Sequence, residues 1–70
     1  MEKYICVHRG DIYYTTIINA SYGGCDLTIS KVRQGREPKS FYNKHCRNVT
    51  EARLAMENRL PDATWEEDNR

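Results

Sequence analysis

Seventy residues, a mean hydropathy of −0.85 and 30% charged side chains bound the problem before any motif is sought. A chain of this length makes one domain and buries only roughly 60% of the surface that its unfolded form exposes. No apolar run approaches the ~20 residues of a membrane span, and a formal net charge of +1 lacks the strong basic excess usual in dedicated nucleic-acid binders.

The stretch from Met1 to His8 has no long apolar core of the signal-peptide kind, so the expected setting is cytoplasmic. Three cysteines, Cys6, Cys25 and Cys46, cannot all pair within one chain. Reduced thiols are expected, with Cys6 and Cys25 as small buried apolar side chains. In that setting the sequons Asn19-Ala20-Ser21 and Asn48-Val49-Thr50 are chance matches.

Lys3 to His8 predicts a first strand, with Ile5 and Val7 toward the core. Arg9-Gly10-Asp11 turns the chain. The triplet also spells an integrin-type recognition motif, which has no meaning without export. Ile12–Ala20 predicts a second strand, dense in β-branched and aromatic residues. Its alternation allows two inward sets: Ile12, Tyr14, Thr16 and Ile18, or Tyr13, Thr15 and Ile17. Ser21-Tyr22-Gly23-Gly24 makes a hairpin turn, because glycine supplies positive φ without steric cost. In Cys25–Val32, Cys25, Leu27 and Ile29 alternate with Asp26, Thr28 and Ser30, so one face is apolar and the other polar.

After Val32, Arg33-Gln34-Gly35-Arg36 reads as a turn. Pro38 then confines the next segment to an edge strand or a loop. Lys39 to Asn43 predicts a short fourth strand, with Phe41 under the helix, and residues 43–48 a connector. Asn48 is a strong N-cap, and Glu51 completes a capping box. The helix runs over Val49–Arg59, stopped by Pro61, with Val49, Ala52, Met56 and Leu60 on one stripe and Leu54 off it. The fold class is therefore α+β: a three- to four-stranded antiparallel sheet with one C-terminal helix packed on one face. The domain spans residues 1–62, and residues 63–70 form a flexible acidic tail in which Trp65 either folds back over the sheet edge or is offered to a partner. The expected core is Ile5, Val7, Ile17 or Ile18, Leu27, Ile29, Phe41, Val49, Ala52, Met56 and Leu60.

Charge is unevenly spread. Residues 31–47 have a local balance of +5 and residues 48–70 one of −3, giving a basic waist and an acidic end. Cys6-Val7-His8 and His45-Cys46 do not have paired zinc-ligand spacing, so no metal or other cofactor is expected. Cys46 lies beside basic residues and just before a helix N-terminus, which favours a thiolate. No orienting third group accompanies it, and a chain this small leaves little room for a closed pocket. No catalytic residues and no enzyme activity are expected.

Two binding classes remain. Five tyrosines and a tryptophan are a generous supply of the side chains that dominate protein interfaces. The first expectation is a non-enzymatic regulator that binds a protein with an acidic patch. Tyr13, Tyr22, Tyr42 and Trp65 serve as aromatic anchors, and Lys31, Arg33, Arg36 and Lys39 as the steering cations. In size and build the chain resembles small phage-encoded anti-defence inhibitors, anti-CRISPR proteins among them. The second expectation is a module that binds DNA or RNA through the same waist and the hydroxyl-bearing sheet face. Three strands followed by a helix, with the Gly35…Phe41…Thr50-Glu51-Ala52 rhythm, resemble the arm-site DNA-binding domains of phage-type integrases over the second half of the chain. The molecule is a monomer, or a homodimer through an edge strand.

Overall fold

The structure, a computed structural model, describes residues 1–33 and 35–69. Five strands and one helix follow in the order β1 (Glu2–His8), β2 (Asp11–Asn19), β3 (Cys25–Val32), β4 (Lys39–Cys46), α1 (Val49–Arg59) and β5 (Glu66–Glu67). The sheet is antiparallel with spatial order β4-β3-β2-β1-β5, and α1 packs on one face of its β2–β4 part. This is an α+β fold with the helix after the four main strands. The two-residue β5 is one strand more than the three or four expected.

Register decides which side chains the helix covers. Partners in an antiparallel ladder share a face, and a shift of one residue moves every side chain to the other side. On β3, Cys25, Leu27 and Ile29 point inward, and their partners on β2 are Asn19, Ile17 and Thr15. The inward set of β2 is therefore Tyr13, Thr15 and Ile17, all buried. The same parity carries to β1, where Cys6 faces Tyr13, and Tyr4 faces Thr15.

Ile5 and Val7, expected in the core, consequently lie on the opposite face; Val7 is 69% exposed. Their apolar character gave no parity of its own, because Tyr4 and Cys6 suit a buried face equally well. Ile17, Leu27, Ile29, Ala52, Met56 and Leu60 form the core as expected, with Phe41 and Val49 packed against it.

β4 runs three residues past the expected Asn43 and takes up most of the expected connector. Cys46 is buried opposite Cys25, which rewards continuing the ladder. Within β4 the register shifts: Ile29 faces Tyr42 and Ser30 faces Ser40, leaving Phe41 as the extra residue of a bulge. The bulge directs two consecutive aromatic rings toward the helix. Phe41 meets Tyr13 edge-on at 5.0 Å. The Arg59 guanidinium, in the last turn of α1, lies 5.3 Å from the Phe41 ring and 4.9 Å from that of Tyr42.

Local chemistry fixes the ends of α1. The Asn48 side chain accepts the Glu51 backbone N–H at 2.8 Å, and Arg59 occupies the last turn, where a cation complements the helix dipole. Arg53 ties the helix to β1. Its Nε and Nη2 donate to the two carboxylate oxygens of Glu2 at 2.9 Å each, and Nε also reaches the Tyr4 hydroxyl at 3.1 Å. The Tyr4 hydroxyl in turn donates to Glu2.

The stretch expected as a flexible tail is partly tied down. Glu66 and Glu67 pair with Ile5 and Tyr4, and the Asp68 backbone N–H donates to the Lys3 carbonyl at 2.9 Å. Trp65 folds back and packs against the core cluster with Ala63. Among the described residues, no helix is long and apolar enough to cross a membrane.

Candidate functional site

The helix leaves one face of the sheet uncovered. Alternation assigns to it Lys3, Ile5 and Val7 of β1; Ile12, Tyr14, Thr16 and Ile18 of β2; Asp26, Thr28, Ser30 and Val32 of β3; Ser40, Asn43 and His45 of β4; and Glu66 of β5. Its apolar members, Ile18 beside Asp26 excepted, gather at one end. Val7, Ile12 and Val32 form one cross-strand row, and Ile5, Tyr14 and Ser30 form the next. Side chains directly opposite one another stand within about 5.5 Å, so the two rows make a continuous patch.

At the same end of the sheet, by the β1–β2 and β3–β4 turns, lies the basic end of the molecule, with Lys31 and Lys39 on the helix side in register with Tyr13. Lys31, Arg33, Arg36, Glu37 and Lys39 line a cleft of about 160 Å³. Asp11, the first residue of β2, holds Lys31 at 3.4 Å and Arg33 at 3.6 Å. Among the described residues no ion pair engages Arg36 or Lys39. Arg9 joins the same end in the two-residue turn that links His8 to Asp11, where it adopts a positive φ of 51°.

The far end of the open face is polar. His45 Nδ1 lies 2.8 Å from Asp26 Oδ1, and the Tyr22 ring stacks on His45 at 5.2 Å. The Asp26 carboxylate beside the Tyr22 phenol pushes its pKa up. Gly24 lets the β2–β3 turn press against β4. Its φ is +70°, and a Cβ there would sit 2.3 Å from the Cys46 carbonyl and 2.9 Å from His45 Nε2.

The residues singled out from the sequence are dispersed. Lys31, Arg33, Arg36 and Lys39 do converge, around the basic cleft. Of the four aromatic anchors, only Tyr22 is freely exposed, and it lies beside Asp26 and His45 at the polar end. Tyr13 is 4% exposed, boxed in by His8, Phe41 and the Lys31 side chain. Tyr42 is half-buried beneath Arg59, and Trp65 is half-buried against the core. Tyr13 is buried because the set Tyr13, Thr15 and Ile17 is the one that faces the helix. Tyr14, its neighbour of opposite parity, is the tyrosine that the open face presents. Sequence reading missed Val7, Ile12, Tyr14 and Val32 as a surface; the signal was the inward parity of Leu27 and Ile29, carried across two ladders.

The thiols are not in the state expected for Cys46. All three cysteines are free and buried. Burial pushes the Cys46 pKa up and the neighbouring Cys25 adds to it, so the thiol is held protonated. Burial likewise raises Cys6 and Cys25. Among the described residues, no group of three or more His, Cys, Asp or Glu side chains is placed to hold a metal ion. Comparison with protein-family models, with curated proteins and with solved structures finds no match to this chain.

Proposed function

We propose that this chain is a non-enzymatic protein-binding regulator that acts by stoichiometric occupation of its partner, in the manner of the small inhibitors encoded by phages and mobile elements. One observation carries the reading: the apolar rows Val7-Ile12-Val32 and Ile5-Tyr14 lie on the uncovered sheet face, at the same end of the sheet as the Lys31, Arg33, Arg36 and Lys39 cleft, in which Lys31 and Lys39 share the helix-side parity of Tyr13. An apolar patch on one face, with cations around the same end of the sheet, fits a partner that covers that end with an apolar area and reaches round it with acidic side chains. The cations speed and orient the encounter, and desolvation of the apolar rows supplies most of the affinity.

The nucleic-acid alternative uses the same cleft. It is less well supported, because among the described residues the Lys, Arg, Asp, Glu and His side chains that alternation assigns to the open face are Lys3, Asp26, His45 and Glu66, with apolar groups where a phosphate backbone would lie. Sheet readers of DNA surround the inserted strands with phosphate-contacting cations.

The test is an affinity capture from nuclease-treated extract beside a gel shift on duplex DNA and single-stranded RNA over a salt series. The proposal expects one defined protein, retained near one-to-one by wild type and lost with Val7→Asp, and no shifted nucleic acid at moderate salt. A shift that weakens steeply with salt and disappears in the Arg33→Glu/Arg36→Glu double variant overturns it in favour of nucleic acid.

A further inference from the structure

Cys25 and Cys46 stand directly opposite each other in the β3–β4 ladder, on the helix-facing side, and each is 1% exposed. Opposed residues of antiparallel strands have Cα atoms about 4.5 or 5.5 Å apart, depending on which kind of pair they form. Both separations fall within the ~4.4–6.8 Å spanned by disulfide-bonded cysteines. Cys6 is excluded from such a pairing, because it lies on β1 opposite Tyr13, with β2 between it and β3. The chain thus holds two thiols in bonding register and a third out of reach.

We propose that Cys25 and Cys46 are a redox pair that a disulfide-class oxidant, of which glutathione disulfide is the simplest, converts into a cross-strand disulfide fastening β4 to β3. The thiolate of one cysteine attacks a sulfur of the oxidant, breaking its S–S bond and releasing the first glutathione thiolate. The second cysteine thiolate then attacks the protein sulfur of the mixed disulfide. The Cys25–Cys46 bond forms and the second glutathione leaves. The two thiol protons end on the two released glutathiones, and the two electrons lost by the protein reduce the oxidant.

The placement of the pair sets its behaviour. β4 is an edge strand and Cys46 is its last residue, so the thiols become accessible through local opening of that end rather than global unfolding. Burial, which holds both thiols protonated, makes the reaction slow at neutral pH and faster as pH rises. The bond would close a covalent loop over residues 26–45, which contains every residue lining the basic cleft. The proposal does not depend on the identity of any partner.

The full-length chain is incubated with glutathione disulfide at mildly alkaline pH, quenched with acid, alkylated in denaturant and mapped by peptide mass. The expected product has lost one hydrogen from each of the Cys25 and Cys46 thiols, joins their two peptides and carries its one alkyl group on Cys6. Cys6→Ser gives the same product at a similar rate, whereas Cys25→Ser and Cys46→Ser give no internal bridge. A parallel reaction in urea scatters the bridge over the three possible pairs. Persistence of three alkylated cysteines, a bridge through Cys6, glutathione adducts that never resolve, or a native product mixture identical to that in urea each overturns the proposal.

Discussion

On the face covered by α1, Leu27 and Ile17 are at most 2% exposed; on the opposite face Val7 is 69% and Ile18 48% exposed. Both faces are built from β-branched and aromatic side chains on the same strands, so composition does not separate them. The separation comes from what lies above. Val49, Ala52, Met56 and Leu60 cover β2–β4, and Trp65 with Ala63 extends the covering layer. On the opposite face no helix lies over Val7, Ile12 and Val32; Val7 is exposed and Ile12 and Val32 are half-buried. Buried apolar area stabilises the fold at about 25 cal/mol per Å². The same chemistry left in water adds little stability and stays available to a second surface. One face holds the molecule together, and the other is proposed to hold its partner.

Substitutions on the covered face should cost stability, and those on the open face should cost binding. The largest effect is expected in the core. Leu27→Ala or Met56→Ala leaves a cavity under the helix and costs about 2–4 kcal/mol of stability, read from urea unfolding, which approaches the whole margin of a chain this small. Val7→Asp on the other face changes stability by less than about 1 kcal/mol yet weakens partner binding by about 2 kcal/mol or more, measured by calorimetry with the captured protein. Arg33→Glu/Arg36→Glu leaves the apolar rows intact and slows association about tenfold at low salt, with the deficit shrinking as salt rises.

Two smaller effects lie on the covered side. The Thr15 hydroxyl is buried with no hydrogen-bond partner among the described residues. Thr15→Val, of nearly the same shape, should therefore stabilise the chain by about 1 kcal/mol, visible as a higher melting temperature. Glu2 is the smallest and depends on pH. The hydrogen bond from Tyr4, with the Arg53 contacts, holds its carboxyl below the ordinary value of 4.5. A carboxylate whose folded-state pKa is depressed contributes stability that is present above the unfolded value and lost as pH falls through the folded one. Wild type should therefore exceed Glu2→Gln in stability near neutral pH, and the gap should close below about pH 4.5 in acid unfolding curves.

Much of the covered face was legible, because Cys25, Leu27 and Ile29 alternate cleanly with polar residues and Asn48 with Glu51 marks the helix start. The segment Ile12 to Ile18 was not, since both parities bury apolar groups equally well, and that ambiguity passed to β1 through the ladder. It misplaced Val7 and Tyr13 together. The bulge at Phe41 breaks a period-2 reading without any glycine to announce it. The β5 residues Glu66 and Glu67 join the sheet through backbone hydrogen bonds, for which two glutamates give no sign. The cationic residues of the candidate site came through because charge clustering survives folding. The apolar ones did not, because their exposure is set by register. The facing of Cys25 and Cys46 is likewise a register fact, invisible at a spacing of 21 positions.

Hydroxyl-radical footprinting of the complex reads out which side of the sheet meets the partner. The account predicts that Val7, Ile12 and Tyr14 lose reactivity on binding while Leu54, exposed on the outer side of α1, labels as in the free chain. Protection of Leu54 with Val7, Ile12 and Tyr14 unchanged would contradict it.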